Sequence, residues 1–391
     1  MIKLAHKISR RSFVQKMAVT SAATAIGAET WGRMFNPPKN NLNEYTVFSA
    51  GEIGSIKLKN RFIKAATLER AGQDGFPAEI YLQILENLVM GGVGLITTGA
   101  MPVTSPINLK NAINIDDDKY LPGLEKITDT AHQTDKRCKI IAQIVHIDNT
   151  TSPSGINWTG KPTQGTYTLD QIRGIINSFS EAIIRSKIAG FDGAELNAHA
   201  TYFLSSFLSA QTNKREDEYG GSLENRVRIV KEIVQLARNK VGNDYPIMIK
   251  MNCDDSLSLD ASSEFGANID NFPLIATEIQ KAGFDAIELS GNTTLRKDIL
   301  SIEKESYFAD YANNLNLGIP VILTGGNRSL DNIEGIFKRG KIDFFGFARP
   351  LIREPDLVKR WQENGSEVKS KCISCNSCLS ASGPLRCMQL S

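Results

Sequence analysis

Eight short apolar runs recur along the chain, alternating with stretches of helical, amphipathic periodicity. The runs are Arg61–Ala66, Gly94–Gly99, Lys139–His146, Gly193–His199, Pro246–Cys253, Ala286–Ser290, Pro320–Thr324 and Phe344–Ala348. Their composition reads as burial on both faces, which strands of a parallel sheet require. Helical patterns lie between them, at Ala78–Met90, Leu169–Ala189, Ser222–Val241, Phe272–Ala282 and Leu330–Arg339. Eight β-α units in series point to an α/β chain that closes into a (β/α)8 TIM barrel. An open doubly wound sheet is the second reading, but no Gly-x-Gly-x-x-Gly fingerprint follows the first run. Phe48–Lys59, with Gly51 and Gly54 as turn residues, reads as a hairpin closing the barrel floor. A single barrel takes about 250 residues or more, and the region 45–365 supplies them by itself.

The two ends of the chain read differently. Ser9-Arg10-Arg11-Ser12-Phe13 precedes the weakly apolar run Met17–Ala28, with small residues at Ala25–Ala28. Twin arginines in that order resemble a twin-arginine export signal, so residues 1–34 are set aside from the fold and a periplasmic or otherwise exported protein is expected. The resemblance implies the export machinery for folded proteins as a partner; a basic N-terminus on a cytoplasmic protein is the other reading. At the far end, residues 366–391 hold Cys372, Cys375, Cys378 and Cys387, four of the six cysteines. A tight loop of thiolates can wrap a 4Fe-4S cluster. Zinc, disulfides or an unused remnant compete with it. Cys138 and Cys253 sit in apolar runs and read as core. With 45 Lys and Arg against 43 Asp and Glu, a net charge of +2 gives no reason to expect nucleic-acid binding.

In a barrel of this kind the site lies at the C-terminal ends of the strands, with phosphate held by the last two βα loops. The seventh run ends in Thr324-Gly325-Gly326-Asn327-Arg328 and the eighth in Gly346-Phe347-Ala348-Arg349-Pro350. Glycines let backbone N–H groups approach a phosphate, and a guanidinium beside them can grip it in two places. Lys250 interrupts an apolar run, and a buried ammonium needs a partner.

The segment Phe191-Asp-Gly-Ala-Glu-Leu-Asn-Ala-His-Ala-Thr-Tyr-Phe-Leu204 and the tail Thr212-Asn-Lys-Arg-Glu-Asp-Glu-Tyr-Gly-Gly-Ser-Leu-Glu-Asn-Arg226 resemble the signature of the old yellow enzyme family, the FMN-dependent NADH:flavin oxidoreductases. The resemblance runs from Phe48 to Trp361. It implies FMN as cofactor and hydride transfer between flavin N5 and a small organic substrate, with NAD(P)H or a redox partner protein as electron donor. By the same resemblance Ala65, Ala66 and Thr67 pass the isoalloxazine, and Gln143 pairs with its pyrimidine edge. Lys250 stands beside N1 and O2, and Gly325, Gly326, Gly346 and Arg349 grip the phosphate. Tyr202 stands where the family places its proton donor. Arg215, Asp217, Tyr219 and Arg226 read as loop-fixing residues.

One departure lies inside the motif. The family's pair of substrate-binding donors corresponds to Asn197 and Ala200, and alanine has nothing to donate. His199 lies between them. If the strand stays extended to His199, Asn197 and His199 share a side and can form a rebuilt donor pair. The alternative is an FMN-binding protein with little catalysis. The cysteine segment resembles the cluster motif of the dienoyl-CoA reductase and trimethylamine dehydrogenase group, with a shorter final gap.

Overall fold

The structure, a computed structural model, describes residues 45–104, 109, 111–257, 266–292 and 296–389. Residues 1–34, where an export signal is expected, lie outside them.

Eight parallel strands form the centre: β1 (Phe62–Lys64), β2 (Leu95–Thr97), β3 (Lys139–Val145), β4 (Gly193–Ala198), β5 (Ile247–Asp254), β6 (Ala286–Gly291), β7 (Val321–Thr324) and β8 (Phe344–Phe347). Each pairs with the next, and β8 pairs back onto β1 through Phe345↔Phe62 and Gly346↔Ile63. That closure distinguishes a (β/α)8 barrel from the open sheet. The helices α1 (Glu79–Met90), α2 (Leu121–Thr134), α3 (Leu169–Ile188), α4 (Phe203–Leu208), α5 (Leu223–Val241), α6 (Phe272–Lys281), α7 (Leu330–Phe337), α8 (Arg349–Arg353) and α9 (Leu357–Asn364) lie on the return paths.

Local chemistry sets the ends of these elements. Thr168 opens α3 with a reciprocal capping box to Gln171, and Ser222 caps α5 through the Asn225 N–H. In the tail between α4 and α5, Arg215 bonds Asp217 through Nε (3.0 Å) and Nη2 (2.5 Å), and its Nη1 reaches the Pro153 and Tyr167 carbonyls at 2.8 Å. A Cβ at Gly220 would sit 2.4 Å from the Arg215 carbonyl oxygen, so the loop needs glycine there. Arg226 Nε donates to the Leu208 carbonyl and the buried Tyr219 donates to Glu232. These contacts tie the loop to the barrel wall.

The hairpin below β1 pairs Gly51–Ile53 with Ile56–Leu58, and Gly54 turns it at φ +52°. Its Ile53, Ile56 and Leu58 join Ile63, Leu95, Ile141, Met248, Ala286, Ile322 and Phe344 in one apolar cluster. That cluster plugs the lower barrel, since strand alternation puts these seven strand residues on the inward face. The segment after α9 packs back on the same compact unit, which spans Leu42–Ser391. Leu385 N–H donates to the Glu69 carbonyl, and Ser370 and the Lys371 N–H both bond Glu354.

Candidate active site

Higher up β3, β4, β5 and β6 the inward positions change character. They are Gln143, Glu195, Lys250 and Glu288, each at most 5% exposed. Four such groups in a closed barrel must satisfy one another. Lys250 Nζ lies 2.8 Å from Glu288 Oε1, an ion pair rather than an aligned hydrogen bond. Gln143 Nε2 donates to Glu195 Oε1 at 2.7 Å, and Asn197 Nδ2 donates to Gln143 Oε1 at 3.1 Å. Burial, then the nearby Glu288, pushes the Glu195 carboxyl well above the usual range, against the pull of Lys250. Burial alone would lower Lys250, but Glu288 and Glu195 together lift it above an ordinary lysine. The set is thus a cation ion-paired to Glu288, beside Glu195, whose carboxyl burial drives toward its protonated form.

Above them opens a cavity of about 410 Å³ at the C-terminal ends of the strands. Ala66, Thr67, Lys250, Gly325, Gly326, Gly346 and Arg349 all line it, with His199 at its deep side. Ala65 is fully buried in the wall, and Gln143 lies within the polar layer. Gly325 and Gly326 adopt φ +148° and +79°, and a Cβ on either would come within 2.8 Å of Tyr307. Side chains there would close the cradle. A Cβ at Gly346 would lie 1.9 Å from Thr324 Oγ1, a buried hydroxyl with no hydrogen-bond partner among the described residues. Arg349 lines the rim, but its Nη1 is held by the Arg296 carbonyl and by Asn376 Oδ1, each at 2.6 Å. FMN fits this donor set: a buried cation, a glycine cradle and a guanidinium lining one cavity.

Strand β4 ends at Ala198, one residue short of the extension that a same-side Asn197 and His199 pair requires. Asn197 spends its amide on Gln143 and its Oδ1 on the His199 N–H (3.1 Å). His199 hydrogen-bonds the Gly291 backbone, and its Nε2 is buried without a protein partner among the described residues. Desolvation, reinforced by the Lys250 charge, holds this imidazole well below the usual histidine range, so it is neutral. Ala200 takes the left-handed conformation (φ +53°), which costs an L-residue roughly 1–2 kcal/mol. Asn252 holds it from both sides, accepting from Ala200 N–H (2.9 Å) and donating to its carbonyl (3.0 Å).

Tyr202 precedes α4 and faces a second cavity of about 260 Å³, walled by Trp158, Tyr167 and the hydroxyls of Thr201 and Ser206. Burial raises its phenol, which therefore keeps its proton at neutral pH, though the Lys250 charge opposes the shift. His146 is a wall residue: Nδ1 meets the Thr104 carbonyl at 2.6 Å and its ring packs on Phe203.

Cys378 lines the large cavity, and Cys372 and Cys375 are near enough to raise its thiol further after burial has done so. Cys387 is turned away, its Sγ 3.3 Å from Arg353 Nη1. Among the described residues no three Cys, His, Asp or Glu side chains converge as a metal site. As arranged, the four thiols do not fit a cubane cluster.

Sequence reading passed over Glu195, Glu288 and Asn252. The signal that singled out Lys250, an ionisable residue inside an apolar run, was equally present for both glutamates. Asn252 offers none, because its role depends on the conformation of Ala200, 52 residues earlier.

A closed barrel with glycine-rich loops after β7 and β8 and a buried lysine lining the same cavity fits a flavin-binding class of (β/α)8 proteins. The chain belongs to the NADH:flavin oxidoreductase / NADH oxidase family, which matches residues 46–367. It is 31% identical over 352 residues to the NADH oxidase of Thermoanaerobacter brockii, covering 84% of this chain and 52% of that protein. It is 30% identical over 347 residues to a metal reductase of Desulforamulus reducens, covering 84% and 50%. A solved 2-naphthoyl-CoA reductase in complex with 2-naphthoyl-CoA superposes with a TM-score of 0.74 at 25% identity, covering 85% of this chain and 54% of that one. The chain spans about half the length of these relatives.

Proposed function

We propose that this chain is an FMN-dependent oxidoreductase acting on a small organic molecule. The observation that carries the proposal is the one cavity that Lys250, Gly325, Gly326, Gly346 and Arg349 line together. FMN, when bound, supplies hydride exchange at N5. Lys250, buried and lining the cavity, would offset negative charge on a bound reduced flavin. The glycine loop and Arg349 anchor the phosphate. Gln143, oriented by Glu195 and Asn197, presents its remaining amide N–H. The protonated Tyr202 supplies a proton to substrate held between the two cavities. NAD(P)H or a redox partner protein is the electron donor, and the twin-arginine segment supports work outside the cytoplasm. Cys372, Cys375, Cys378 and Cys387 have a cluster-like spacing, but in this arrangement Cys387 Sγ is bonded by Arg353 Nη1 at 3.3 Å.

The absorbance spectrum of anaerobically purified protein, with iron and sulfide analysis, tests this reading. Flavin bands that bleach with NADH or dithionite support it; a protein without flavin overturns it. About four irons per chain would assign the cysteines to a cluster. Tyr202→Phe should lower turnover of an activated alkene by about 10²-fold or more, the usual scale for a lost general acid.

A second reading rests on Ala200 and Asn197, the one unable to donate and the other already committed. The protein would then bind FMN with little turnover. It predicts flavin bands, no alkene reduction, and no effect of Tyr202→Phe.

A further inference from the structure

The barrel interior holds a charge arrangement that flavin binding does not need. A buried ammonium needs a partner, but a single carboxylate would supply it. Here Lys250 shares the interior with two fully buried carboxyl groups. They occupy the adjacent strands: Glu288 stands level with Lys250 across β5 and β6, and Glu195 belongs to β4 on the other side. Only Glu288 touches the ammonium, at 2.8 Å. Glu195 instead accepts from the Gln143 amide. The two carboxyls therefore differ in role despite similar burial.

We propose that Glu288 is a positioning residue that acts through Lys250: as its counter-ion it sets how much of the lysine charge reaches the bound flavin, and so fixes the flavin's reduction potential. This rests on the FMN reading above. The physical reason is the low dielectric of the closed barrel. A unit charge 2.8 Å from the ammonium cancels most of its field at a ring lying beyond it, because no water intervenes to screen either charge. The reduced flavin, anionic at its N1 edge, then gains less from Lys250 than it would from an unpaired cation. Glu195, driven toward its protonated form by burial and bonded to Gln143 rather than to the ammonium, contributes a weaker field.

The test is the midpoint potential of bound FMN, measured spectroelectrochemically at pH 7 for wild type, Glu288→Gln, Lys250→Met, the double variant and Glu195→Gln. Glu288→Gln should favour reduced over oxidised flavin by at least about 10-fold, which a two-electron couple reads as a rise of about 30 mV. Lys250→Met should lower the potential, and the double variant should return towards wild type, since the pair's net charge is then unchanged. Glu195→Gln should stay near wild type. If Glu288→Gln does not fold, the step from Lys250→Met to the double variant reads the same carboxylate, and should be a rise. An unchanged potential in that step and in Glu288→Gln overturns the inference, as does an equal shift from Glu195→Gln. A role confined to packing would change melting temperature and leave the potentials alike. Absence of bound FMN in wild type would instead defeat the underlying reading.

Discussion

The lower and upper halves of the barrel are made by the same eight strands and obey opposite rules. Below, Ile63, Leu95, Ile141, Met248, Ile322 and Phe344 fill the interior with carbon. Two residues higher, Gln143, Glu195, Lys250 and Glu288 fill it with polar groups that hold one another. The floor is stable because it buries surface. The upper layer is costly to bury and is offset only by mutual pairing. The comparison separates residues that keep the barrel closed from those that give its mouth a chemistry.

The largest effect should come from the floor. Phe344→Ala removes a fully buried ring and should cost about 3–5 kcal/mol, read as a lower urea midpoint. The fraction that remains folded should keep its flavin-to-protein ratio, because no mouth residue has moved; loss of flavin from folded protein would break the division.

A smaller effect, of opposite sign, should come from the upper layer. Glu195 has a folded pKa raised by burial above its unfolded value of about 4.3. The unfolded chain therefore loses this proton first, and the native state loses stability as pH rises above that value. Glu195→Gln removes the dependence while keeping a partner for Gln143. Its urea midpoint should gain on wild type between pH 5 and pH 7; a constant difference would show that Glu195 is not the group held neutral.

The smallest effect concerns Ala200. Ala200→Gly relieves the left-handed backbone but adds freedom to the unfolded chain. A net gain of about 0.5 kcal/mol is expected, read as a slightly higher melting temperature with unchanged flavin binding.

Much of the fold was legible because parallel barrels write themselves locally. Each strand is an apolar run, each helix an amphipathic one, and the order along the chain is the order around the barrel. The hairpin was legible from its glycines, but only Gly54 makes the turn; Gly51, expected to turn as well, pairs with Leu58 in the strand. What escaped depends on pairs far apart in sequence. Whether Asn197 faces substrate or Gln143 is decided by a contact 54 residues away. Whether β4 reaches His199 is decided by Asn252, which holds Ala200 in a turn. The cysteine spacing describes Cys372, Cys375 and Cys378 as neighbours, but cannot report that Arg353 holds Cys387.

The cavity wall has a history as well as a shape. Ser374, Cys378, Leu379 and Leu385 line it, yet they follow β8 in the chain, so the barrel can close before that wall exists. During synthesis the glycine cradle and Lys250 are therefore open on one flank, and the docking of Leu385 onto Glu69 shuts it afterwards. A group seated in the cavity would be covered on that flank by the last stretch of chain, held there by the bond from Leu385 to Glu69.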